Sequence, residues 1–214
     1  MRSGIRDLTE FTSEGGRYPA ERASSVAEVF RRLREPRIRP GSKTQYNSVN
    51  YVLLGAIVEH ATGRPLAEVL RSDVLGDPAL DGLVYTVEDA LAADGYGVES
   101  TPGSLARWGY ELFGGFVLAD SLLGEMTDFY QDPCCDMRYG LGVWDYTQYY
   151  GGTPAVGLEG ASSVATCCSV IRLVAFPEEG MVVSVQANTA GAANPHPYGK
   201  VELLTKVLRD LARG

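Results

Sequence analysis

The chain has 214 residues, 45% of them hydrophobic and 21% charged, with a formal net charge of −8. That composition describes a folded domain rather than a disordered segment, and the acidic balance argues against general nucleic-acid binding. No stretch approaches 18 uninterrupted apolar residues, so no membrane span is expected, and MRSGIRDLTEF lacks the apolar core of a signal peptide.

In chain order, residues 1–23 read as an irregular, charge-rich surface segment, with the basic residues of the N-terminal part interleaved with glutamates. Ser25-Val-Ala-Glu28 is a capping-box pattern, and Val26, Val29, Phe30 and Leu33 follow at helical spacing up to Pro36. A helix is expected from about Ser48 to Thr62, closed by Gly63. Its apolar residues cover most of its circumference, which predicts burial. Further helices are expected over 65–73, from Thr101-Pro102 to Phe113, and over about 121–130.

The periodicity then changes. YGLGVWDY (139–146), ATCCSVIRLVAF (165–176) and MVVSVQAN (181–188) read as strands, the last two joined by a PEEG turn. Val201, Leu204, Val207, Leu208 and Leu211 mark a closing amphipathic helix. The whole is an α+β arrangement in one domain: a helical lobe over about 20–130, then a reduced antiparallel sheet and C-terminal helix over about 139–214. The cysteines form two vicinal pairs, Cys134-Cys135 and Cys167-Cys168, without zinc-ligand spacing. Neither a metal nor a cofactor is expected.

The segment YNSVNYVLLGAIVEHATGRPLAEVL resembles the Tyr-x-Asn region of the serine β-lactamase and D-alanyl-D-alanine carboxypeptidase family, which includes penicillin-binding-protein-like hydrolases and esterases. RSGIRDLTEF looks like that family's segment after its nucleophile helix. YGLGVW is similar to its strand before the third motif, and GLEG falls where Gly-(Lys/His)-(Thr/Ser)-Gly is expected. The resemblance implies a β-lactamase/transpeptidase-like fold and hydrolysis through an acyl-serine intermediate. Tyr46 would then relay a proton, a role that needs a cationic neighbour because a free phenol has a pKa of about 10. Ser48 stands where the family has asparagine and offers one donor rather than two. Read from the residues alone, Tyr46 is a packed aromatic at a helix start, with Ser48 as its cap.

The third motif maps onto Leu158, Glu159 and Gly160, with the Ala161 backbone N–H as the implied oxyanion donor. Leu158 removes the family's cation and Glu159 adds a negative charge, so a neutral ester or amide is the expected substrate rather than an anionic one. The first motif is absent. The three lysines, Lys43, Lys200 and Lys206, are preceded three residues earlier by Pro40, Pro197 and Leu203, so no Ser-x-x-Lys occurs. His60 and His196 stand near no G-x-S-x-G serine. Two readings follow: a serine hydrolase lacking its nucleophile segment and inactive as it stands, or a non-catalytic protein that uses the scaffold to bind a ligand or partner. Without a covering segment, one flank of the helix after Tyr46 and one sheet edge are left bare, so a homo-oligomer or a bound partner chain is expected.

Overall fold

The computed structural model describes residues 39–42, 49–85, 98–131, 138–164, 167–189 and 197–214. The helix expected after Ser25 lies outside them, as do Cys134, Cys135 and His196. The chain divides into two compact units, residues 1–99 and 100–214.

In the first unit, α1 spans Val49–Thr62. It ends where Gly63 takes φ +67° and donates to the Glu59 carbonyl at 2.9 Å, a left-handed close that a side chain would strain. Val52 is buried, whereas Leu54 and Ile57 are 55% and 61% exposed, so the expected all-round burial fails along one flank. A short α2, Leu66–Val69, continues into a wider turn over Leu70–Val74. Arg64 braces this corner through Glu68 at 2.8 Å and Asp73 at 2.7 Å. Strands β1 (Leu83–Tyr85) and β2 (Val98–Ser100) form a two-stranded sheet.

The second unit is a six-stranded sheet in simple chain order. Helix α3, Pro102–Phe113, starts with Thr101 accepting from the Ser104 N–H at 3.1 Å, and Pro102 fills the first turn, where no donor is needed. Helix α4 covers Asp120–Met126, shorter than expected, because Tyr130 is drawn into β3 (Tyr130–Gln131). The run 139–146 is a tight hairpin and not one strand. Strands β4 (Arg138–Tyr139) and β5 (Trp144–Asp145) flank a turn closed by Gly140 N–H to the Val143 carbonyl at 2.8 Å. Glycine is required in that turn: Gly142 has φ +78°, and a Cβ on Gly140 would lie 2.1 Å from the Met126 carbonyl oxygen.

Three long antiparallel strands complete the sheet: β6 (Val156–Val164), β7 (Cys167–Phe176) and β8 (Met181–Thr189). Successive side chains point to opposite faces. Val170, Val174 and Phe176 join Val183, Val185 and Val201 of α5 (Pro197–Arg213) in one core. On the other face, α3 comes so close that a Cβ on Gly109 would meet Leu173 Cδ1 at 2.9 Å and Val182 Cγ1 at 3.0 Å. Both α3 and α4, expected in the helical lobe, therefore belong to the sheet unit.

The closing helix buries Val201, as expected, but turns the rest of its expected apolar face outward. Val201 and Thr205 are fully buried and Arg209 is 7% exposed, while Leu204, Val207, Leu208 and Leu211 turn outward. Thr205 donates to the Val201 carbonyl at 2.7 Å, and Arg209 binds Glu179 through Nε at 2.9 Å and lies over the Phe176 ring. Polar groups provided with partners can occupy the buried stripe.

Candidate functional site

Strand β6 carries the third-motif residues, and its pairing decides what they can do. β7 pairs with it without a break from Val156 to Val164, whereas β5 pairs with only Val156 and Gly157 on the other side. Among the described residues, β6 therefore has a free edge from Leu158 onward. The Tyr146 N–H donates to the Ala155 carbonyl at 2.8 Å, which fixes the direction of that residue's backbone groups. Alternation along the unbroken register turns the N–H and C=O of Glu159 and Ala161 to the same side, out along the free edge. Ala161 thus keeps a backbone donor free of any strand partner among the described residues, the requirement for an oxyanion contact.

The side chains divide between the two faces. Leu158 and Gly160 lie on the face toward α3, opposite Leu173 and Ile171. A Cβ on Gly160 would approach Ile171 Cγ2 at 3.3 Å, so the glycine keeps that surface low. Gly157, the first glycine of the motif, is required for packing: its Cβ would fall 2.0 Å from the Leu173 carbonyl oxygen. Pattern alone did not reveal that role.

Glu159 lies on the opposite face, and this corrects the charge argument. Its carboxylate accepts from Arg172 Nε at 2.6 Å and from Nη2, with side-chain exposures of 13% and 6%. The expected negative charge is neutralised there and is not presented on the Leu158 face. Burial works against the Arg172 charge, but the neighbouring carboxylate prevails and holds its pKa above the ordinary arginine value. Arg172 also lies over the Tyr146 ring, 5.4 Å from its centroid. Burial, reinforced by Glu159, pushes the Tyr146 hydroxyl far up, so it remains protonated and is no substitute base. That hydroxyl and Arg172 Nη1 have no hydrogen-bond partner among the described residues. The sequence does hold a signal for Arg172: a lone charge inside SVIRLVAF demands a partner.

Tyr46 and Ser48 lie outside the described residues, so the structure brings neither to β6. Among the described residues, no group of three or more His, Cys, Asp or Glu could hold a metal ion, and no helix is long and apolar enough to cross a membrane.

The family model described as "Beta-lactamase" matches residues 1–204. Among solved structures, the D-amino acid amidase of Ochrobactrum anthropi SV3 complexed with L-phenylalanine amide is similar over 99% of this chain and 69% of its own, at 20% identity and a TM-score of 0.70. A beta-lactamase/D-alanine carboxypeptidase from Yersinia pestis covers 99% and 68%, at 17% identity and 0.68. A D-stereospecific amidohydrolase from Streptomyces sp. covers 72% and 53%, at 22% identity and 0.59. At these identities the likeness is one of fold, and the chain spans between about half and two thirds of those proteins' length. No curated protein matches it.

Proposed function

Because this chain belongs to the beta-lactamase family, we propose that it is the sheet-bearing part of a hydrolase site for a small neutral ester or amide, and that its own 214 residues do not complete the chemistry. The observation that carries this reading is the Ala161 N–H on the free edge of β6 beside an apolar Leu158. A backbone donor there can bind a carbonyl oxygen, and the leucine offers no charge for a carboxylate. The structural relatives include an amidase complexed with an amino-acid amide, a substrate class that this edge would suit. Tyr46 would relay the proton and Ser48 would orient the substrate. The serine must come from residues other than these 214, because Ser-x-x-Lys is absent from them.

A second reading, a non-catalytic scaffold, gains support from Glu159. A motif position committed to an ion pair with Arg172 serves the fold rather than a substrate. Both readings expect association with a second chain, since Leu54 and Ile57 leave an apolar flank of α1 exposed.

The test uses the purified chain. Intact-mass analysis after exposure to a fluorophosphonate and to a penicillin is expected to show no covalent adduct. An adduct would overturn the claim of incompleteness and identify a nucleophile. Titration with an uncharged N-acyl amino-acid amide is expected to shift the Ala161 amide resonance. If that resonance stays fixed, the binding site is lost and the scaffold reading stands.

A further inference from the structure

Beneath the motif strand, on the face of the sheet that packs on α5, three polar side chains come together inside the second unit. They are Arg172 of β7, Tyr150 of the turn Thr147–Tyr150 and Thr205 of α5. Their exposures are 5%, 6% and 0%. We infer that a single water molecule is bound among them as a fixed part of the fold, accepting from Arg172 Nη1 and Tyr150 and donating to Thr205. The inference stands whether or not the hydrolase reading does.

The hydrogen-bonding capacities of the three groups leave little choice. Arg172 can only donate, and Glu159 already takes its Nε and Nη2. The Thr205 hydroxyl donates its proton to the Val201 carbonyl at 2.7 Å, so toward the interior it can only accept. The Tyr150 hydroxyl can do either. Arg172 Nη1 and the Tyr150 oxygen have no contact with solvent and no hydrogen-bond partner among the described residues. A buried polar atom left in that state costs more than an ordinary hydrogen bond returns. Because the chain itself encloses both atoms, the partner they lack has to fit inside it.

Burial raises the Tyr150 pKa, while Arg172 and, more weakly, Thr205 draw it back, so both groups stand beside that oxygen. Neither meets it in bonding geometry. The space between them is therefore polar and wider than one hydrogen bond, the setting in which protein interiors hold water. Two bonds accepted and one donated make about the usual three for such a molecule. An anion fits less well, because Glu159 already cancels the arginine's charge and Thr205 has no proton to offer it. Tyr146 is not a member of the site. Beyond burial, its hydroxyl feels Glu159 more than Arg172, so the two phenols lie at opposite ends of the ion pair. The water thus ties α5 to the guanidinium end of the pair that crosses from β6 to β7.

A high-resolution crystal structure of the full chain is the direct test. It should show one water within hydrogen-bond distance of Arg172 Nη1, the Tyr150 hydroxyl and Thr205 Oγ1. An empty site, an anion there, or a direct bond from the Tyr150 hydroxyl to Arg172 or Thr205 overturns the inference. In solution, water-selective nuclear Overhauser spectra should show a long-lived water beside the Tyr150 ring and the Thr205 methyl, and its absence also overturns it. These wild-type measurements stand even if a variant fails to fold. Tyr150→Phe and Thr205→Val each remove a partner, and each should shift the folding equilibrium toward the unfolded chain by roughly fivefold or more. Acting through one water, the two together should shift it by clearly less than the product of the single effects. Thr205→Ser keeps the acceptor and should keep the water. Single effects that simply multiply overturn the shared site.

Discussion

Arg172 is the residue on which the candidate strand depends most. Its guanidinium is buried and Glu159 is its only charged partner among the described residues. Removing one member of a buried pair leaves the other uncompensated, typically a cost of about 3 kcal/mol or more. Glu159→Leu should therefore lower stability by about that amount in chemical denaturation, and a change under about 0.5 kcal/mol would show that the pair contributes nothing. Tyr146→Phe should behave in the opposite way. Its buried hydroxyl has no partner among the described residues, so deleting it removes a desolvation cost, and the melting temperature should hold or rise. Asp145 gives a pH dependence. Burial opposes its charge, but hydrogen bonds from Thr147 and Arg138 outweigh that effect and depress its pKa. A carboxylate held below its unfolded value of about 3.9 adds stability above that pH and loses it as pH falls through the folded value. Acid unfolding curves of the wild type and Asp145→Asn should thus differ at pH 5 and converge well below about pH 4.

At the scale of elements, local chemistry was legible wherever a cap or a turn decided the outcome. Thr101-Pro102 opens α3, Gly63 closes α1, and the long β7–β8 hairpin turns at Gly180, with φ +60°. What depends on a neighbour could not be read. The spacing of Leu204, Val207, Leu208 and Leu211 marks a helix correctly, yet spacing cannot say which stripe meets the sheet. Here Val201, Thr205 and Arg209 meet it, because Glu179 and Thr153 stand ready to bind the arginine. The hairpin at 139–146 was hidden for a related reason: Gly140 is required by a carbonyl on α4, a contact distant in sequence. Gly157→Ala tests the closest such contact. Its Cβ would press on the backbone of β7, which cannot yield as a side chain would, so a loss of about 3 kcal/mol or more is expected. Gly109→Ala faces side-chain tips and should cost less. If the two variants are equally stable, the close approach of β6 to β7 is not a constraint.

For the whole molecule, the family was legible from a tyrosine-led helix and a glycine-flanked motif, and the match over residues 1–204 bears it out. The division into units was less legible. Residues 100–126 look like part of a helical lobe because they are helical, but α3 is held by the sheet through Gly109, a residue without a side chain to announce the contact. Of the candidate site, the strand's backbone direction followed only from its one short partnership with β5. Exposed apolar surface occurs on α1 in the first unit and on α5 in the second. Hydrophobic-dye binding should therefore fall when Leu204 and Leu211 are made polar, and disappear only if Leu54 and Ile57 are also made polar.

The cross-strand pair beneath the motif also constrains how this sequence can evolve. A hydroxyl residue in place of Glu159, as in the family pattern, would strand Arg172, while replacing Arg172 first would strand Glu159. Neither single step is neutral, so the two positions are epistatic, and the route toward the family's usual strand passes through a less stable intermediate. Glu159→Thr and Arg172→Leu should each be destabilising alone, and the double substitution should recover much of the loss. If their effects simply add, the two sites evolve independently and the barrier does not exist.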